Sequence, residues 1–83
     1  MEDLFNYLID RNADKFESLK YGYWKRIIKY KLNYDNYNCR KIFNKFLSHG
    51  YFEKIRINNK HFKYKFNPYG YTYKRHFPII IEF

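Results

Sequence analysis

Two stretches of this 83-residue chain gather side chains able to hold a polyanion. Residues 40–45 read Arg-Lys-Ile-Phe-Asn-Lys, so that Arg40, Lys41, Asn44 and Lys45 alternate with apolar Ile42 and Phe43. Residues 54–65 supply Lys54, Arg56, Lys60, His61, Lys63 and Lys65. Lysine and arginine neutralise phosphates and release counterions, while arginine or asparagine can also hydrogen-bond to base edges. Lys25, Arg26 and Lys29 form a third cluster, suited to phosphates where a helix crosses a nucleic-acid backbone.

Other chemistry has few candidates. Cys39 is the single cysteine and cannot form an intrachain disulfide, and three dispersed histidines do not complete a zinc set with it. It lies on an apolar stripe, where a small core residue is expected. The acids gather at the N-terminus away from the histidines, no Ser, Cys or Thr has a sequence-evident base, and no glycine-rich phosphate loop exists. A tyrosine nucleophile among eleven tyrosines is the one catalytic reading left open. The expectation is a protein that is not an enzyme, with no catalytic residues, metal or cofactor.

Charge is unevenly spread. Residues 1–17 hold five acids (Glu2, Asp3, Asp10, Asp14, Glu17) against Arg11 and Lys15, a balance of −3, which leaves +12 of the net +9 to the remainder. Such separation favours a polyanionic partner and says nothing about fold. Abundant Lys, Asn, Ile, Tyr and Phe, with three glycines and two prolines, also match an AT-rich coding sequence. Position must therefore carry the argument. The acidic start is unlike a secretory signal and no apolar run reaches membrane-spanning length. An intracellular protein is expected, cytoplasmic or nuclear, with no membrane partner.

Length allows one domain with one modest core. Leu4, Phe5, Leu8 and Ile9 share a stripe and predict a first helix over about 2–12, with acids in its first turn. Residues 12–22 read as a polar connection with room for a short strand. From Tyr23, the spacing of Trp24, Ile27, Ile28 and Leu32 predicts a second helix. The Asn- and Asp-rich residues 33–38 should turn the chain and offer an N-cap at Asp35, Asn36 or Asn38. Cys39, Ile42, Phe43, Phe46 and Leu47 then repeat at helical spacing, predicting a third helix over 38–49, closed by a left-handed Gly50.

After Gly50 the pattern alternates. Tyr51–Ile57 and His61–Phe66 predict two antiparallel strands, a hairpin over 52–66 with Asn58-Asn59 as a two-residue turn. That turn pairs Ile57 with Lys60, Ile55 with Phe62, Glu53 with Tyr64 and Tyr51 with Phe66. It collects Lys54, Arg56, His61, Lys63 and Lys65 on the opposite face, with Lys54 across from Lys63 and Arg56 from His61. Like-charge pairs of that kind, the second only when His61 is protonated, cost roughly 0.2–1 kcal/mol each, which a binding surface would tolerate. Residues 68–83 form a C-terminal extension, whose Ile79-Ile80-Ile81 should dock on the core or join two copies in a homodimer.

The order helix, connection, helix, turn, helix, Gly50-Tyr51-Phe52 and hairpin resembles the winged-helix (winged helix-turn-helix) superfamily over about residues 3–67. Residues 38–52 look like its recognition helix and exit motif. The resemblance implies an α+β fold of three helices plus a two- or three-stranded antiparallel sheet. It also implies that the third helix enters a major groove and that the hairpin acts as a wing. Ser48-x-Gly50-Tyr51 with His61-Phe62-x-Tyr64 is similar to the winged-helix ribosomal proteins of the plectin type, which counts as coincidence unless RNA binding is demonstrated.

The function expected is nucleic-acid binding, duplex DNA first, in transcription regulation or genome association, with a viral origin in keeping with size and composition. The alternatives are an RNA- or ribosome-binding winged helix, or a protein-interaction module such as a small viral inhibitor.

Overall fold

A computed structural model describes residues 2–70. Three helices, α1 (Glu2–Asp10), α2 (Tyr21–Leu32) and α3 (Asn36–Ser48), precede an antiparallel pair of strands, β1 (Phe52–Arg56) and β2 (Phe62–Phe66). The fold is α+β, and the order and pairing are those of a winged-helix-like arrangement. The expected extension falls largely outside the described residues, including Ile79, Ile80 and Ile81.

The helices end where local chemistry stops them. α1 closes two residues earlier than expected: Asn12 takes a left-handed conformation (φ 54°) and leads into a short 3-10 turn, Ala13–Lys15, whose Ala13 is buried. Asparagine tolerates that region better than other non-glycine residues. Asn33 does the same at the end of α2 (φ 55°), its N–H reaching the Lys29 carbonyl at 2.8 Å. Of the three N-cap candidates Asp35 serves, its Oδ1 accepting the Asn38 N–H at 2.8 Å.

Gly50 (φ 79°) completes a Schellman cap on α3. Its N–H donates to the Leu47 carbonyl at 3.0 Å and that of Tyr51 to the Phe46 carbonyl at 2.9 Å. The Tyr51 and Phe46 rings meet edge to face, centroids 5.6 Å apart. This apolar contact fixes the exit angle of the chain and hence where the hairpin begins.

Aromatic rings dominate the core. Trp24 is fully buried, its ring 4.8 Å from that of Phe52, and Phe52 stacks on Phe43 at 4.7 Å. Leu4 and Leu8 of α1, Ile28 of α2 and Cys39, Ile42 and Phe46 of α3 complete it. The indole N–H donates to the Tyr64 carbonyl at 2.9 Å, which satisfies a buried donor. The same carbonyl accepts the Leu19 N–H at 2.9 Å, and Leu19 returns the bond by accepting from Tyr64 at 2.7 Å. The connection before α2 thus touches β2 as a single-bridge third strand, which the polar stretch 12–22 left room for.

The hairpin departs from expectation by one residue. Observed partners are Phe52 with Phe66, Glu53 with Lys65, Lys54 with Tyr64, Ile55 with Lys63 and Arg56 with Phe62. The cause is the turn. Neither Asn58 nor Asn59 adopts the positive φ that a two-residue type I′ turn requires. Instead the Asn58 side chain accepts the N–H groups of Lys60 (2.9 Å) and His61 (3.0 Å), and residues 58–60 form a three-residue loop beneath an Ile57 N–H bond to the His61 carbonyl.

A slip of one residue reverses every side chain of β1. Phe52 points into the core, while Ile55 and Ile57, expected inside, are 41% and 49% exposed. The expected pairs Lys54–Lys63 and Arg56–His61 do not form, and the single basic face built on them is corrected to cations on both faces. The like-charge cost that favoured a binding role for the hairpin disappears with them.

Candidate nucleic-acid interface

α3 carries its buried and exposed residues on opposite sides. At about 100° per residue, Cys39, Ile42, Phe43 and Phe46 span one side, all buried, with Leu47 half-buried at its margin. Arg40, Lys41, Asn44, Lys45, Tyr37, Asn38 and Ser48 span the other, all exposed. The helix contains no acid. Its exposed arc is an uninterrupted surface of cations, amides, one phenol and one aliphatic hydroxyl, long enough for three turns.

Two of its residues are set by neighbours. The Arg40 guanidinium lies over the Tyr21 ring, 4.5 Å from the centroid, and 5.8 Å from that of Phe43. Tyr21 meets Phe43 edge to face at 4.8 Å, so the arginine rests on a ring that the core itself holds. Burial raises the Tyr21 pKa, with Arg40 opposing the shift. A shallow groove lined by Tyr34, Asn38, Lys41, Ile42 and Lys45 runs along the other flank.

α2 divides its cations between two sides. The Lys29 ammonium donates to Asn36 Oδ1 at 2.9 Å across the α2–α3 turn, which places it beside the start of α3, and Lys25 lies on the same flank. Arg26 projects elsewhere, over the Tyr23 ring at 5.8 Å and next to Tyr7, Arg11, Ile27 and Tyr30. Arg26 is therefore separated from the α3 surface.

The hairpin cations are scattered by the register. Lys54 lies over the Phe62 ring at 4.2 Å. Arg56 reaches the tip, its Nη2 donating to Asn59 Oδ1 at 2.5 Å and its Nε to the Asn58 carbonyl at 3.4 Å. Lys60 and His61 are exposed at the tip, and Lys63 is half-buried opposite Ile55. The Lys65 ammonium donates to the carbonyls of Asp14 and Phe16, tying β2 to the 3-10 turn. That structural role, like the Tyr21 seat beneath Arg40, joins residues too distant in sequence for any local pattern to show.

Cys39 is fully buried, its thiol 3.6 Å from the Tyr34 carbonyl, and burial raises its pKa. It packs as a small apolar residue. Among the described residues, no three His, Cys, Asp or Glu side chains converge on a metal site, and no helix is long and apolar enough to cross a membrane. No family model, curated protein or solved structure matches the chain.

Proposed function

We propose that this chain is a non-enzymatic, winged-helix nucleic-acid-binding domain that lays α3 in the major groove of duplex DNA and rests the hairpin tip on the flanking backbone. The observation that carries the reading is the exposed arc of α3, which offers Arg40, Lys41, Asn44 and Lys45 with no acid among them. In such a pose Lys41 and Lys45 neutralise phosphates, while Arg40 and Asn44 reach base edges. Lys25 and Lys29 extend the cationic surface toward the strand that α2 would cross. At the tip, Lys60 and His61 stand on a loop ordered by Asn58, and Arg56 braces it from below.

The core supports this assignment by holding the opposite face of α3, through Phe43 and Phe46, against Phe52, which itself packs on Trp24. A reading element on a rigid platform loses little entropy on docking. A role in transcription regulation or genome association, in a viral setting or otherwise, agrees with such a domain.

Competition among duplex DNA, duplex RNA and single strands at one salt concentration tests the reading, followed by salt titration of the tightest ligand. Duplex DNA should bind tightest, and log K should fall linearly with log salt, by about 0.9 for each phosphate engaged. Preference for duplex RNA would move the assignment to an A-form ligand, and absence of binding at low salt would overturn it.

A further inference from the structure

The side of α2 turned away from α3 carries a second surface that the proposed function does not use. Tyr23, Arg26 and Tyr30 stand three and four residues apart and share one helix face, with Tyr23 55% and Tyr30 81% exposed. α1 continues this surface through Tyr7, whose ring has the Lys31 ammonium 5.4 Å and the Arg11 guanidinium 5.7 Å from its centroid. Arg11 also donates to the Tyr7 hydroxyl at 3.2 Å. Tyr7, Arg11, Arg26, Ile27 and Tyr30 together line a shallow depression between the two helices.

Its charge is mixed, unlike that of α3. Asp3 and Asp10 lie four residues before and three after Tyr7, on the same side of α1, and both are exposed. The surface therefore carries Asp3 and Asp10 along its α1 edge, beside Arg11, and Arg26 along its α2 edge, with tyrosines between. A continuous polyanion would meet repulsion at Asp3 and Asp10. A two-fold partner would not, because an isologous interface sets each edge against its opposite.

From this juxtaposition we infer that the α1–α2 surface pairs two copies of the chain, the tyrosines of each copy packing at the centre while Asp3 and Asp10 of one face Arg26 of the other. Tyrosine and arginine are the residue types that dominate binding energy at such interfaces. Here the arginines already rest on tyrosine rings, so less side-chain freedom is lost on association. The inference stands apart from nucleic-acid binding, since α3 lies on the other flank of α2.

Sedimentation of the full chain over a range of concentrations tests it. The 10.6 kDa chain should shift toward twice that mass as concentration rises. Tyr30→Ser and Arg26→Glu should each weaken the dimer at least tenfold without altering the fluorescence of the buried Trp24. Adding Asp10→Arg to Arg26→Glu should restore it, which a merely structural role for Arg26 would not produce. The inference is overturned by a monomer at every concentration, by a dimer indifferent to both variants, or by a dimer broken by Ile80→Asp but not by Tyr30→Ser. A monomer that instead binds oligothymidylate through Tyr30 would overturn it in favour of base stacking.

Discussion

α3 and the β1–β2 hairpin carry similar cations and hold them in different ways. On α3, one face is given to the core and the other to solvent, so Arg40, Lys41, Asn44 and Lys45 stay together whatever the neighbours do. On the hairpin, Lys54 and Arg56 lie on one face, Lys63 and Lys65 on the other, and Lys65 is occupied with backbone carbonyls. The comparison separates charge that is available from charge that is merely present. Under the proposed function, α3 is the reading element and the hairpin contributes through its tip.

The largest effect should come from testing the register. Phe52→Ala removes a ring that touches Trp24, Phe43 and Phe46, and should cost about 3–5 kcal/mol in chemical denaturation. Ile55→Lys, three residues along the same strand, should change stability by less than about 0.5 kcal/mol. Equal costs would restore the alternative register, in which Ile55 is inside.

Next in size is the charge of α3. Reversing Arg40, Lys41 and Lys45 to Glu together should weaken duplex binding by about 100-fold or more near physiological salt and lower the salt slope by about 1.8, for the two phosphates assigned to Lys41 and Lys45. Reversing Lys54 and Lys63 should do much less. An equal loss from the two sets would dissolve the distinction between helix and hairpin.

Lys65→Met should act on folding and not on binding. Loss of its bonds to Asp14 and Phe16 should cost about 1 kcal/mol, lowering Tm by about 4–8 °C for a domain of this size, with affinity for DNA unchanged in the folded protein. The smallest effect is alkaline. Burial raises the pKa values of both Cys39 and Tyr21, so the stability tied to their neutral forms is complete below their ordinary values of 9.0 and 10.0 and is lost as pH rises through the raised ones. Cys39→Ala with Tyr21→Phe should flatten that decline in thermal unfolding curves.

How legible these regions are in sequence differs for a physical reason. The stripe Cys39, Ile42, Phe43, Phe46 and Leu47 identifies the buried side of α3 several times over, and a boundary error of two residues leaves the exposed arc unchanged. Gly50 was readable for a similar reason, because its left-handed conformation is imposed by the helix end. The hairpin has no such redundancy. Its side-chain period is two, so one additional loop residue inverts β1, and the choice between Asn-Asn as a type I′ turn and Asn58 as a side-chain cap is made by hydrogen bonds that composition does not display. The Leu19–Tyr64 bridge and the Arg40–Tyr21 contact are tertiary and left only a permissive trace, a polar connection and a tyrosine at a helix start. The split of Lys29 from Arg26 follows from helical spacing, once the flank of α2 against which α3 packs is known.

The most direct test of the central claim is an amide chemical-shift map of the labelled full chain at saturating duplex DNA. The account predicts that the perturbed amides cluster on α3 from Tyr37 to Ser48 and on the tip from Asn58 to His61, leaving α1 silent. Perturbations concentrated on α1, or along the outer hairpin face around Ile55, with α3 unaffected, would contradict it.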